Sequence, residues 1–131
     1  MRFVLLATLA CLATAVQLSR AQGGDVPPRL LIGKWSGSAT MPNGAVMATD
    51  LALTQDRKFS GLATVQGKEF WSYSGTWEVK GDQLIWHYEN SSQPLPESAK
   101  TDIDDIVSVD SEKLVLASKL SGKQTVYLRA R

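Results

Sequence analysis

Cysteine and histidine are almost missing from this sequence of 131 residues, which contains one of each. The cysteine, Cys11, lies in an N-terminal apolar segment. If that segment is removed, no disulfide can form within the remaining chain. A zinc site needs several Cys or His ligands, so a zinc site is excluded as well. We therefore expect no metal and no cofactor, and a fold stabilised by packing alone.

Strong charge and long apolar runs are also absent. The 14 basic and 13 acidic side chains nearly balance, and without Arg2 and Arg20 of the N-terminal segment the balance is 12 to 13, a net charge of −1. This argues against a nucleic-acid partner and against an anionic membrane surface. After the N-terminal segment, no stretch approaches the ~18 apolar residues of a membrane span. The chain also lacks a P-loop, a nucleotide-binding glycine run and a Gly-x-Ser-x-Gly motif, and we expect no enzyme.

The first 21 residues have the pattern of an export signal. The positive start Met1-Arg2 precedes an apolar run over residues 3–16, which has the length of a signal h-region and is too short for a membrane anchor. Small residues favour cleavage after Ala21, and residues 13–15 offer an earlier alternative. We therefore expect a secreted or periplasmic protein.

Two further features lie within the predicted signal and directly after it. Leu9-Ala10-Cys11 faintly resembles a lipoprotein site, but Thr8 suits such a site poorly, and we do not expect lipidation. Residues 22–30 are rich in Gly and Pro and are predicted to be a linker, with a single turn near Pro28. The domain is then expected over residues 31–131.

Short alternating segments follow the linker, separated by turn residues, and no window has a convincing apolar period of 3.6. They predict an all-β fold, an antiparallel meander of about eight short strands arranged as an up-and-down barrel or a sandwich. The strands are expected near residues 32–40, 45–54, 58–66, 69–79, 83–90, 103–109, 113–118 and 124–130.

The clearest evidence for strand register comes from residues 69–90. Gly81-Asp82 suits a two-residue type II′ turn, because Gly is favoured at its first central position. That turn places apolar residues opposite one another, and a large ring opposite a glycine can cover its bare backbone. The expected pairs are Val79 with Leu84, Trp77 with Trp86 and Gly75 with Tyr88.

The hairpin before it has two interpretations. A two-residue turn at Gly67-Lys68 would pair Phe70 with Val65. A three-residue turn would instead put residues 59, 61, 63 and 65 on the face of Trp71, Tyr73 and Gly75. The hydrophobic pattern favours the second.

Three pieces of the chain resemble the lipocalin-like domains of secreted bacterial proteins, within the calycin group of barrels. Gly33-Lys34-Trp35 is similar to the Gly-x-Trp start of lipocalins. Residues 74–84 are similar to the middle hairpin of the small bacterial versions, and residues 114–116 and 127–129 to their closing strands. The resemblance implies a barrel closed at one end, where an arginine of the last strand packs across the first-strand tryptophan. By that resemblance Gly33, Trp35 and Arg129 close the barrel, with Arg131 as the alternative partner of Trp35.

Aromatic residues dominate the predicted inner face. The side chains expected to line the barrel interior are Met47, Leu51, Trp71, Tyr73, Trp77, Trp86 and Tyr88. They could form a packed core, or a pocket that grips an apolar or flat molecule. The core is the simpler interpretation, but small inward residues such as Gly37, Gly61 and Gly75 leave room for a pocket.

The remaining polar residues indicate little chemistry. His87 should point away from the aromatic face beside Ile85 and Glu89, as an exposed strand histidine. The aspartates Asp102, Asp104, Asp105 and Asp110 could suggest calcium. No glycine-turned loop accompanies them, so we expect a solvated sheet edge that discourages aggregation.

These observations favour an exported binding module that holds a small hydrophobic ligand inside the barrel. The alternative is a non-catalytic structural or interaction protein with a solid-packed barrel, such as an envelope factor or an inhibitor. It would act through its outer face or through the proline-containing loop 91–101. No nucleic acid and no membrane span after signal removal are expected, and the sequence does not identify a protein partner.

Overall fold

The structure, a computed structural model, describes residues 24–130. The predicted export signal with Cys11, and Arg131 at the C-terminus, lie outside the described residues. The described chain forms eight antiparallel strands in sequence order, and β1 and β8 pair to close a barrel. The all-β meander is thus confirmed, and of the two arrangements the barrel is the one present.

The eight strands coincide with the predicted segments to within two residues at every end. Their bounds are β1 Gly33–Thr40, β2 Val46–Leu53, β3 Lys58–Val65, β4 Lys68–Lys80, β5 Gln83–Ser91, β6 Thr101–Val109, β7 Lys113–Ser118 and β8 Gln124–Arg129. Short 3-10 turns occupy Pro28–Leu30 and Glu97–Ala99. The described residues include no helix whose length and hydropathy would suit it to span a membrane.

Alternation along each strand separates a buried inner face from a solvated outer face. The burial is most complete at the end of the barrel where β1 begins. The side chains that are less than 2% exposed include Trp35, Trp77, Leu31, Leu53, Leu84, Ile106 and Leu114. This apolar layer is the main source of stability in the described domain.

The predicted register of the β4–β5 hairpin is confirmed. Val79 pairs with Leu84 and Trp77 with Trp86 across the Gly81-Asp82 turn, and Gly81 has the positive φ (61°) that this turn requires.

Gly75 pairs with Tyr88 as expected, and the atoms nearest to a Cβ built at Gly75 belong to the β5 backbone. A Cβ at Gly75 would collide with the backbone carbonyl of His87, because a bulge at Glu89 brings β5 against β4 there. The rings that do cover strand glycines belong to Tyr73, over Gly61, and Tyr127, over Gly37.

The β3–β4 hairpin differs from both interpretations of its turn. Its two central residues are Gln66 and Gly67, which both have positive φ (53° and 79°), as a type I′ turn requires. A bulge then leaves Phe70 as an extra residue, 44% exposed. The bulge restores the expected facing of Ala63 with Trp71 and Gly61 with Tyr73.

The described part of the segment predicted as a linker packs against the barrel. Val26 is 5% exposed, and its backbone N–H donates to the carbonyl of Gly81 at 2.8 Å. Leu31, just after the first 3-10 turn, is completely buried. Residues 26–31 therefore cover the closed end of the barrel.

The closed end also contains the contact that the resemblance implied. The Arg129 guanidinium lies 4.1 Å from the centroid of the Trp35 ring. Its Nη1 and Nη2 donate to the carbonyls of Ile32 and Leu30 at 2.8 and 3.0 Å, and its Nε donates to Ser111. Gly33 (φ 142°) is needed here because a Cβ would lie 2.5 Å from Nη1 of Arg129. Arg129 thus ties the last strand to the residues that precede β1.

Candidate functional site

A cavity of about 190 Å³ lies inside the barrel, on the side away from the Arg129 contact. Its position follows from the register, since Trp35 pairs with Leu51 near the start of β1, whereas Thr49 and Met47 pair with Gly37 and Ala39 farther along. The lining residues are Met47, Thr49, Leu51, Ala63, Trp71, Tyr73, Trp86, Tyr88, Asp102, Asp104 and Tyr127. The interior is therefore packed at one end and hollow toward the other.

Six of the seven side chains predicted for the interior line this cavity, and Trp77 does not. The Trp77 ring is 1% exposed in the packed layer. Its Nε1 donates to the carbonyl of Lys58 at 3.1 Å, and the Arg57 guanidinium lies 4.8 Å from its ring centroid. Trp77 is thus part of the closed end.

The walls of the cavity are aromatic rings in mutual contact. The centroids of Trp71 and Tyr73 are 4.1 Å apart, and those of Trp71 and Tyr88 are 5.9 Å apart with the planes inclined by 27°. Phe59 packs edge-on against Tyr88 and Trp86 behind them. Such pairs hold one another in fixed orientations, so the aromatic walls of the cavity are rigid.

A hydrogen bond positions Trp71 at the rim. Its Nε1 donates to Ser91 Oγ at 2.7 Å, and the Ser91 hydroxyl donates in turn to the carbonyl of Gln93 at 2.6 Å. The indole is therefore coupled to the start of the loop between β5 and β6.

Two inward aspartates are the unexpected part of the lining. β6 pairs with both β5 and β7, so the predicted solvated sheet edge is wrong. Asp102 and Asp104 occupy inward positions opposite Trp86 and Leu84. The Trp86 Nε1 donates to Asp104 Oδ2 at 2.8 Å. The available signal was that Asp102 and Asp104 alternate in phase with the buried Ile106, but acidic residues in a strand are usually assigned to the outside.

Burial dominates the electrostatics of Asp104. Desolvation raises its pKa from 3.8 to about 6, against the lowering effect of the hydrogen bond from Trp86. The neighbouring charges of Asp102 and Asp105 make smaller upward contributions to that same pKa value. The carboxyl is therefore ionised at neutral pH but becomes protonated in mildly acidic solution.

Three tyrosine hydroxyls add polar groups to the lining. Burial raises the pKa of Tyr73 to about 12, and it also raises the pKa values of Tyr88 and Tyr127 above the ordinary 10. All three therefore stay neutral at physiological pH and can donate or accept a hydrogen bond. Tyr127 was missed as a site residue although it alternates inward on the last strand.

A wider groove of about 620 Å³ adjoins the cavity at its mouth. The two share Trp71, Tyr88 and Asp102 in their walls. The groove is completed by the loop after β5 and the turn after β7, with Leu95, Ala99, Ile103, Lys119 and Leu120 among its residues. Leu120 is 95% exposed, so the mouth presents apolar surface to solvent.

The other polar residues singled out from the sequence lie outside the cavity. His87 is on the outer face as expected, but its partner is Glu78 on the neighbouring strand, with 2.7 Å between Nε2 and Oε2, rather than Glu89. The hydrogen bond from His87 lowers the pKa of Glu78.

The remaining two aspartates have separate surroundings. Asp105 Oδ1 lies 3.8 Å from Lys119 Nζ on the outer face. Asp110 accepts hydrogen bonds from the backbone N–H groups of Glu112 and Lys113, which lower its pKa. Within residues 24–130, no three His, Cys, Asp or Glu side chains are grouped so that they could hold a metal ion.

Comparison with known proteins assigns no family to this chain. The sequence matches no family model, and no curated protein is identified as its relative.

Proposed function

We propose that this protein is an exported, lipocalin-like binding module that holds a small, flat or hydrophobic molecule inside its barrel without transforming it. The observation that carries the proposal is the aromatic-lined cavity of about 190 Å³, which adjoins the groove at the mouth. Apolar cavities of about 150 Å³ hold benzene-sized molecules. The cavity and the groove together fall within the range of small-molecule sites.

The lipocalin-like assignment is supported by two features on opposite sides of the barrel seam. The Gly33-Lys34-Trp35 segment opens β1, and Arg129 of the last strand lies across the Trp35 ring. The pattern of residues 1–21 supports export, since it combines a positive start, a short apolar run and a small-residue cleavage site.

A pair of matched variants tests the binding proposal. N-phenyl-1-naphthylamine, a neutral probe whose fluorescence increases in apolar surroundings, should bind the protein. Ala63→Leu places extra methyl groups in the cavity, because Ala63 faces inward and lines it. Ala48→Leu makes the same change on the exposed outer face of β2. We expect probe binding to fall at least about tenfold in the first variant and to stay unchanged in the second.

Probe binding that is equally strong in both variants would show that the probe sits elsewhere. No binding to the unmodified protein at any concentration would contradict the proposal itself. Thermal melts of both variants exclude loss of folding as the cause.

The alternative function, an interaction protein acting through its outer surface, has one observation in its favour. Val126 and Leu128 on the outer face of β8 are 46% and 57% exposed, so this face presents apolar side chains to solvent. Under that alternative Leu128→Ser would abolish capture of a protein partner, and Ala63→Leu would not.

A further inference from the structure

The charged side chains that line the cavity are both acidic. The lining contains two carboxylates, Asp102 and Asp104, and in the described part of the chain it contains no Lys, Arg or His. Asp104 accepts its hydrogen bond from Trp86 on Oδ2, and Oδ1 has no partner among residues 24–130. Asp102 Oδ1 accepts only from the backbone N–H of the next residue, at 2.9 Å. Both carboxylates therefore keep acceptor capacity at the cavity wall, Asp104 half-buried and Asp102 exposed at the rim.

The aromatic walls of the cavity also favour a cation over an anion. The faces of Trp and Tyr rings carry partial negative charge and attract cations within about 6 Å of the ring centroid. Trp71, Tyr73 and Tyr88 line the same cavity as the two carboxylates. An anion placed there would meet both carboxylates and the ring faces with no compensating cation, so the lining disfavours it.

The groove at the mouth has apolar residues that could contact an apolar part of the same ligand. Leu95, Ala99 and Leu120 are apolar, and the groove shares Asp102 with the cavity. Lys119, its one basic residue among the described lining, is paired with Asp105 on the outer face. A molecule with a charged end in the cavity could therefore extend its apolar part into the groove.

We propose that the ligand is an organic cation, a protonated amine attached to a flat or apolar body. The ammonium group is held between the aromatic faces and the carboxylates of Asp102 and Asp104, and the body lies toward the mouth. This inference rests on the proposed function, because it names the class of molecule that the same cavity takes. A bare metal ion is not the occupant proposed, since the carboxylates lie among indole and phenol rings that suit an organic ligand.

Three probes that share one ring system test the sign of the charge. Titration calorimetry at pH 7.5 and 0.15 M salt compares 2-naphthylmethylamine, a cation, with 2-naphthylmethanol, which is neutral, and with 2-naphthoate, an anion. We expect the amine to bind at least about tenfold more tightly than the alcohol, because charge-assisted hydrogen bonds are the stronger class. The anion should bind most weakly.

Single charge-removing variants locate the effect. Asp104→Asn should remove most of the preference for the amine while leaving binding of the alcohol within about twofold. Asp102→Asn tests the same point at the exposed rim, where folding is least at risk. Asp50→Asn is the matched control, because it removes one exposed carboxylate from the outer face of β2, and Asp50 lines neither the cavity nor the groove. It should leave all three affinities unchanged.

The outcomes separate the two proposals. If N-phenyl-1-naphthylamine binds but the amine has no advantage over the alcohol, the cation inference is wrong and the binding module stands. An advantage that survives in both Asp102→Asn and Asp104→Asn also overturns the inference. If neither that probe nor any naphthyl compound binds, the proposed function itself is wrong.

Discussion

Asp104→Asn should change how the stability of this protein depends on pH. The folded state raises the pKa of Asp104 from 3.8 to about 6. Between those values the folded protein binds a proton that the unfolded chain has released. The free energy of unfolding therefore falls as the pH rises from about 4 to about 6, and it does not recover above that range.

The size of the effect follows from the shift. About 2 pKa units correspond to about 3 kcal/mol at 1.36 kcal/mol per unit. The carboxyl is only partly buried, so solvent screening reduces this to roughly 1.5 kcal/mol. Asparagine has the same shape, accepts the hydrogen bond from Trp86 through its amide oxygen, and does not ionise. The difference in free energy of unfolding between the variant and the unmodified protein should therefore shift by about 1.5 kcal/mol in favour of the variant between pH 4 and pH 8.

Urea unfolding followed by tryptophan fluorescence at intervals from pH 4 to pH 8 measures this difference. Comparison with the unmodified protein cancels the contributions of Asp56, Glu78 and Asp110, whose pKa values are lowered and whose stabilisation is lost at more acidic pH. Asp50→Asn removes an exposed carboxylate from the outer face of β2 and should follow the unmodified protein in parallel. Parallel curves for Asp104→Asn as well would refute the claim that this carboxyl is desolvated inside the barrel.

Two other predictions concern packing. Arg129→Lys keeps the charge but loses the planar contact with Trp35 and the paired hydrogen bonds to the carbonyls of Ile32 and Leu30. This variant should lower the free energy of unfolding by about 1–2 kcal/mol in urea titrations. Arg29→Lys, at an exposed position, is the control and should leave the free energy of unfolding unchanged. Equal effects of the two variants would contradict the account of the closed end. Gly75→Ala directs a methyl group at the carbonyl of His87 and should cost about 3 kcal/mol or prevent folding. Gly24→Ala, made in open space, is its control, and a Gly75→Ala protein as stable as that control would show that the strands do not approach so closely.

Alternation made most of the fold predictable from the sequence. Because the side-chain period of a strand is two residues, Val79, Trp77 and Trp86 specified one register of the β4–β5 hairpin and rejected its neighbours. The same pattern predicted six residues of the cavity wall. It could not separate Trp77 from the others, since packed and cavity-lining side chains share one face and differ only in depth along the barrel.

The alternation pattern could not predict the bulges in the strands or the charged residues that face inward. The bulges at Phe70 and Glu89 change the pairing count by one residue, and no residue type signals them uniquely. Asp102 and Asp104 were assigned to the surface because burying a carboxylate is unfavourable in general. Only the closed barrel and the nearby Trp86 N–H show how an inward aspartate is accommodated. His87 was expected to be an exposed histidine beside Ile85 and Glu89, and its contact with Glu78 on the neighbouring strand was not predicted.

Native mass spectrometry of the protein purified from its own source tests the central claim most directly. The account predicts a discrete additional mass of a small amine that is retained in the folded protein, is lost on unfolding and is absent from Ala63→Leu. A folded protein that carries no such mass, and whose tryptophan fluorescence is unchanged by added naphthyl amines and neutral apolar probes, would contradict it. The interior would then be closed to ligands, and function would lie on the outer surface.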